Sequence, residues 1–365
     1  MASVPTASAQ ALPYFGRAWH IAVDTSEGAH LVLSSDQFSE ALRVTFSADM
    51  RMLLPYWMAQ VTIYNLSNET ATQIWKGTPG FGSTLGTMLQ PGAEMRLGDA
   101  VTISAGYQSD GSGKFNPSKS VIYEGRILQP VWLRENVVDF KLLLRLSTGL
   151  PGDLFCSFAV PKNTTDLTTI EQICSQATTP IPINEIDAAS RAKLSKAPCP
   201  RAQAIHGRPL EQIRQIAKQN GVFPWVSAHG LNIRSFDSAP KESDCIYGPP
   251  DPQGYSPTSP QKGPIKKTLI GVPEQTQDGA VFRVLLDPAV KIGDTVQLAP
   301  GTIINPFPRQ IGNLPAAPSA NGQYVVAGIR HVGDTRGRGD DWFTEIHGVV
   351  MDFFPRFLGA TQPNA

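Results

Sequence analysis

The chain is 365 residues long, enough for two or three domains with cores of their own, and its 31 Lys and Arg are balanced by 31 Asp and Glu. With no basic excess to neutralise a phosphate backbone, specific nucleic-acid binding is disfavoured as a main task, and no apolar run approaches the length of a membrane span, which disfavours membrane insertion. Charged residues make up only 17%, below the usual quarter or so, as expected of a surface partly covered by partners.

Residues 1–18 are small and polar with two prolines and read as an N-terminal arm. They carry no positive charge before Arg17 and no continuous apolar core, so they do not read as a secretory signal, and synthesis in the cytoplasm is expected. A first β unit is expected over 19–149. Short strands are predicted from Ile21 to Val23, Leu31 to Leu33, Leu42 to Phe46 and Gln60 to Tyr64. The loop from Thr78 to Gly86 imitates a dinucleotide fingerprint, but its third glycine comes one residue late and no strand-to-helix context frames it. Asp110 to Lys114 resembles a phosphate loop still less, because Gln108 stands at the first glycine position and Phe115 where Ser or Thr would hold magnesium.

After Gly149 the composition changes, and a small α/β segment is expected over 150–248. Thr168-Thr169-Ile170-Glu171 reads as a capping box, with Ile170, Ile173, Cys174 and Ala177 on one helical face. A second helix starts with Pro209 at its first position, carries Leu210, Ile213, Ile216 and Ala217 as its stripe, and stops at Asn220-Gly221. A hairpin from Phe223 to Arg234 follows. Residues 249–264 are rich in Pro, Ser and Gly and read as a semi-rigid connector. A second β unit is expected over 265–355, interrupted by a Pro-rich insertion from Asn305 to Pro318, and 356–365 reads as a tail. That insertion and the Gly-rich stretch from Gly77 to Pro91 are expected to face partners.

The two β units appear as copies of one another. Arg96-Leu97-Gly98-Asp99-Ala100-Val101-Thr102-Ile103 returns as Lys291-Ile292-Gly293-Asp294-Thr295-Val296-Gln297-Leu298. In each, Gly suits a tight turn and the Asp carboxylate can take a backbone N–H, so Gly98, Asp99, Gly293 and Asp294 form a structural turn motif. Upstream, Val61 to Ser67 matches Val281 to Pro288. Downstream, Val121 to Ile127 matches Tyr324 to Arg330, and Val137 to Leu144 matches Asp341 to Ile346. The same order of strands around a Gly-Asp turn therefore recurs, and the fold class is mainly β (α+β), with two duplicated antiparallel domains flanking a small α/β domain.

These residues resemble a known family. Thr45-Phe46-Ser47, Val61 to Ser67, Gly98 to Val101 and Ser104 to Gln108 look like the opening domain of bacteriophage tail baseplate hub proteins, of the Mu-like, contractile-tailed kind. Leu269 to Pro273, Leu285 to Pro288, Gly293 to Val296 and His331 to Asp334 are similar to the closing domain of that family. The resemblance implies two tail-tube-like β-barrel domains per chain and a homotrimer in the virion baseplate. That trimer would join the six-fold tail tube, or tube initiator proteins, to the three-fold central spike protein, with wedge and tape measure proteins as further partners. No enzymatic insertion of the kind found in longer hub relatives is evident.

Other function classes have less behind them. No G-x-S-x-G elbow, H-E-x-x-H pair or EF-hand loop is present, so no catalytic, cofactor-binding or metal residue is assigned, no cofactor is expected, and the chain is read as a non-enzyme rather than a cell-wall hydrolase. Asp99 and Asp294 are better explained by turn capping than as a glycosidase pair. The four cysteines, Cys156, Cys174, Cys199 and Cys245, lack Cys-x-x-Cys spacing and read as free structural thiols, with disulfides or a metal or iron–sulfur site as the alternatives. Six Trp could serve a receptor- or carbohydrate-binding module at a tail tip, but Trp spread over several domains are more often core or interface anchors.

Overall fold

The computed structural model describes residues 15–25, 28–38, 42–54, 56–76, 98–109, 114–136, 139–149, 155–178, 180–196, 199–235, 241–248, 265–266, 268–276, 278–299, 302, 322–337 and 341–350. The first β unit contains β1 (Phe15–Asp24), β2 (His30–Ser34), β3 (Val44–Arg51), β4 (Met58–Tyr64), β5 (Ala100–Ser109), β6 (Val121–Arg134) and β7 (Phe140–Ser147), with helices α1 (Ser35–Phe38) and α2 (Asn68–Lys76). Its strands follow the two-residue period. In β3, Val44, Phe46, Ala48 and Met50 are buried, while Thr45, Ser47, Asp49 and Arg51 face the other way. Helix α2 was not expected. Its signals are short: Ser67 Oγ accepts the Thr70 N–H at 3.2 Å, and Ala71 and Ile74 are deeply buried.

The middle segment contains β8 (Cys156–Val160), α3 (Asp166–Gln176), β9 (Ile183–Ile186), α4 (Ala188–Lys196), β10 (Gln203–Gly207), α5 (Pro209–Gln219), β11 (Val222–Ser227) and β12 (Gly230–Ser235). It has a core of its own, in which Ile170, Ile173, Leu194, Ile213, Ala217 and Leu231 are essentially inaccessible. Helix α5 begins at Pro209 and carries the expected stripe, and the expected hairpin is β11–β12. Helix α3 starts earlier than expected. Its N-cap is Thr165, whose Oγ1 accepts from the Thr168 N–H at 3.2 Å, so the capping side chain lies three residues before the one the sequence pattern favoured. Helix α4 has no apolar stripe to announce it and buries only Ser190 and Leu194.

The second β unit contains β13 (Lys241–Tyr247), β14 (Ile265–Lys266), β15 (Leu269–Gln275), β16 (Gly279–Leu285), β17 (Asp294–Leu298), β18 (Gln323–Asp334) and β19 (Trp342–Val350). The expected boundary at 248 needs a correction, since β13 leaves the middle segment and pairs in parallel with β17 and β14. Tyr247, with no exposed surface, joins the large core there. All fourteen strands of the two units belong to a single hydrogen-bonded sheet, antiparallel except around β13. The Thr78–Gly86 loop, the 305–318 insertion and the 249–264 connector lie outside the described residues.

Candidate functional surface: an eight-stranded ribbon from two matched units

The two units have one strand order. The run β3-β4-β7-β6-β5 in the first is matched by β15-β16-β19-β18-β17 in the second. The match extends to register. Strand β6 pairs with β7 through a bulge between Ile127 and Gln129, and β18 pairs with β19 through a bulge between Val326 and Gly328. Aligning these bulges puts Ile127 on Val326, and the Gly-Asp turns agree, because the Gly98 N–H donates to Ile127 O at 2.7 Å and the Gly293 N–H to Val326 O at 2.9 Å. Aligning β6 with β18 by their glycines alone is therefore wrong. Gly125 lies before the bulge opposite Val101, whereas Gly328 lies after it opposite His347.

At the second turn Gly293 takes φ +88°, a region that L side chains avoid, and the Asp294 carboxylate accepts the Lys291 N–H at 2.9 Å, as the motif requires. At the first turn the residue matching Lys291 is Arg96, which lies outside the described residues. Asp99 is 3% exposed, far from an open catalytic carboxylate. The two Gly-Asp pairs stand at matching turns that lead into β5 and β17.

The units meet through β3 and β18, antiparallel from Thr45 opposite Asp334 to Arg51 opposite Gly328. Met52 N–H to Ala327 O and Thr335 N–H to Val44 O close the two ends of this ladder at 2.9 and 3.0 Å. Side chains reinforce it. Phe46 meets Trp342 edge to face at 5.2 Å between centroids, the Trp342 indole N–H donates to Gly106 O at 3.1 Å, and Arg17 lies over the Trp342 ring. Arg43 pairs with Asp334 across the same junction. Burial opposes the charge of the Asp334 carboxylate, but Arg43 and the Arg336 N–H outweigh it and hold its pKa below the usual range.

Reading across this junction gives an unbroken antiparallel ribbon of eight strands, β15-β16-β19-β18-β3-β4-β7-β6. One face carries the core. The other carries Arg283 with Glu345 at 2.8 Å, Arg330 with Ser47 at 3.5 Å, Arg51 with Asp49 at 3.0 Å, and Arg145 with Gln129 at 3.3 Å. Exposed pairs of this kind contribute little to stability, so the face behaves as a hydrated polar surface.

His331, the four cysteines and most of the described Trp residues are buried. His331 is 1% exposed and shares a 2.8 Å hydrogen bond with Thr344 Oγ1, which also accepts the Asp287 N–H at 2.9 Å. Burial, helped by the Lys291 ammonium, pushes the His331 pKa down to about 3, so the ring is neutral at ordinary pH. All four cysteines are buried and unbridged, and burial raises the Cys174 thiol to about 12, well away from a reactive thiolate. Trp19, Trp57, Trp225 and Trp342 are buried in the large core, and Trp132 packs against it, stacked on Phe140. A cavity of about 430 Å³ between the units is lined by Lys114, Lys119 and Lys266, the last held at 2.7 Å by Asp287.

No family model and no curated protein matches the chain by sequence. Solved structures do match. A tail protein from Neisseria meningitidis MC58 superposes with a TM-score of 0.50 at 13% identity, over 92% of this chain and 97% of its own. The 43 kDa tail protein of prophage MuSo2 from Shewanella oneidensis matches with a TM-score of 0.48 at 12% identity, over 91% and 97%. An E. coli type VI secretion system component, itself described as similar to T4 tail proteins gp27 and gp5, matches at 0.43 and 8% identity, over 84% of this chain and 73% of its own. The resemblance to tail proteins seen in the sequence thus holds in three dimensions, and the chain has the fold of the Neisseria tail protein along nearly its whole length.

Proposed function

We propose that this protein is a structural component of a phage tail, a baseplate hub in which three chains form a closed ring with six similar positions. The observation that carries the reading is the β3–β18 junction, which already joins two units of the same strand order side by side within one chain. Repeating that junction between chains makes a head-to-tail ring, and three two-unit chains supply six positions. Such a ring presents a pseudo-six-fold face to a tail tube or tube initiator and keeps true three-fold symmetry for a central spike. The polar face of the ribbon lines the channel. Wedge and tape measure proteins are further partners in this reading, the site of action is the virion baseplate, and the role is scaffolding rather than catalysis.

Light scattering of the purified full chain is the test. The expected mass is three times the 39.4 kDa chain. A hexamer, a dimer, or a monomer at every accessible concentration would overturn the three-chain ring, and release of fragments from purified peptidoglycan would overturn the non-enzymatic role.

A further inference from the structure

We infer that the outer edge of β6 beyond its bulge pairs with β15 of a second copy of this chain, antiparallel, with Leu133 opposite Glu274. The inference rests on the ring reading and supplies the contact that closes it. Strands β15 and β6 are the two ends of the eight-stranded ribbon, and among the described residues neither has a second strand on its outer side there. Strand β15 pairs only with β16, and β5 covers β6 only as far as Arg126. Their counterparts are not left so. Strand β3, which matches β15, is covered by the far half of β18, which matches the far half of β6. The contact made inside the chain between the units is thus missing once per chain, at complementary ends.

Direction and register follow from the internal copy. Alternating strands across the ribbon leave β6 and the next chain's β15 antiparallel. Within the chain Ser47 faces Val332 and Ala48 faces His331. Leu133 and Trp132 take the places of Val332 and His331, as their partners Lys141 and Leu142 match Phe343 and Thr344. Gln60 and Val281 match in the same way, so Glu274 stands where Ser47 does and Gln275 where Ala48 does. The β15 bulge between Ile270 and Glu274 has no counterpart in β3, so the transferred pairing is confined to the stretch after it.

Two local features fit a covered edge. Leu133 and Val272, 39% and 61% exposed, are large apolar side chains at the two ribbon ends. Pro130 matches Ile329, whose N–H points toward β3 by alternation from the Met52–Ala327 and Val44–Thr335 bonds. A proline nitrogen there faces the outer edge, the side of a strand where proline is tolerated, and it lies beyond the end of the incoming β15.

Disulfide trapping in the full chain tests this, since the native thiols are all buried. In a non-hydrogen-bonded antiparallel pair the side chains lie close enough to bridge. Mixing Leu133→Cys with Glu274→Cys under mild oxidation should give covalent dimers containing one chain of each, and neither variant should link to itself. The double variant should lose its monomer band into a ladder ending at three chains. Leu133→Cys with Gln275→Cys should not link, because a one-residue shift moves the thiol to the other face. Absence of an inter-chain 133–274 disulfide, self-linking of Leu133→Cys, or equal linking of the shifted pair would overturn the pairing. A ladder ending at another number would overturn the three-chain ring and leave the pairing standing, whereas rings of three by light scattering without the disulfide would do the reverse.

Discussion

Gly333 lies in β18 at the junction, against Phe46 of β3 and Trp342 of β19. A methyl group there would overlap the Phe46 ring and come within 2.8 Å of the Trp342 indole. Both rings are locked in the core, so relief requires off-rotamer shifts. Gly333→Ala should destabilise the protein by about 1–3 kcal/mol, and Phe46→Leu in the same chain should recover part of that loss. Denaturant midpoints of the two single variants and the double variant measure it, and additive effects would refute the clash. His331 supplies a pH dependence. The unfolded imidazole binds its proton near 6.5 and the folded one only near 3, so between these values the unfolded chain holds more protons. Stability from this group is complete above about pH 6.5 and falls with acidification by up to about 1.4 kcal/mol per pH unit. Asp334 and Glu345, both held below the usual carboxylate range, add losses of the same sign at lower pH. His331→Asn should flatten the slope above about pH 4.5, where carboxylates contribute little. An unchanged slope in urea titrations would assign it to other groups.

At the scale of elements, the difference between β3 and β15 is informative because they are copies. The Ala48 N–H faces β18, by alternation from the Met52–Ala327 bond, and Ala48 is fully buried. Ala48→Pro removes a ladder bond and leaves a buried carbonyl without its donor, so a loss of about 1–3 kcal/mol is expected by calorimetry. Strand β15 already carries Pro273 within its span, as an end strand can. A thermally neutral Ala48→Pro would mean that β3 is not held by β18 in solution.

The described residues of the whole molecule form two cores of unequal reach. One hydrophobic cluster runs without a break through both β units and takes in Phe223 and Trp225 from the middle segment, while the other stays within that segment. The two β units should therefore open together although 200 or so residues of sequence separate their matched strands. In hydrogen exchange, amides of β4 and β19 should share one opening free energy, and Gly333→Ala should lower both by similar amounts, with a smaller effect on α5. Independent opening of the two units would show that the sheet junction does not couple them.

The duplication, the strand-rich class and the better-marked helix are legible in the amino-acid order, because these are written in side-chain periods and turn chemistry: alternation in β3, Pro209 and the stripe of α5, and the repeated Gly-Asp. It also pointed to the right copies while misaligning them, since Gly125 and Gly328 look alike in one dimension but lie on opposite sides of a bulge. Which edges meet is settled only in the folded chain. The joining of β3 to β18, the parallel placement of β13 on β17 and the stripe-free α4 depend on backbone donors and acceptors, which are the same at nearly every residue. Side chains leave almost no trace of which strand those groups will choose, so the ribbon became visible only once its strands were in place.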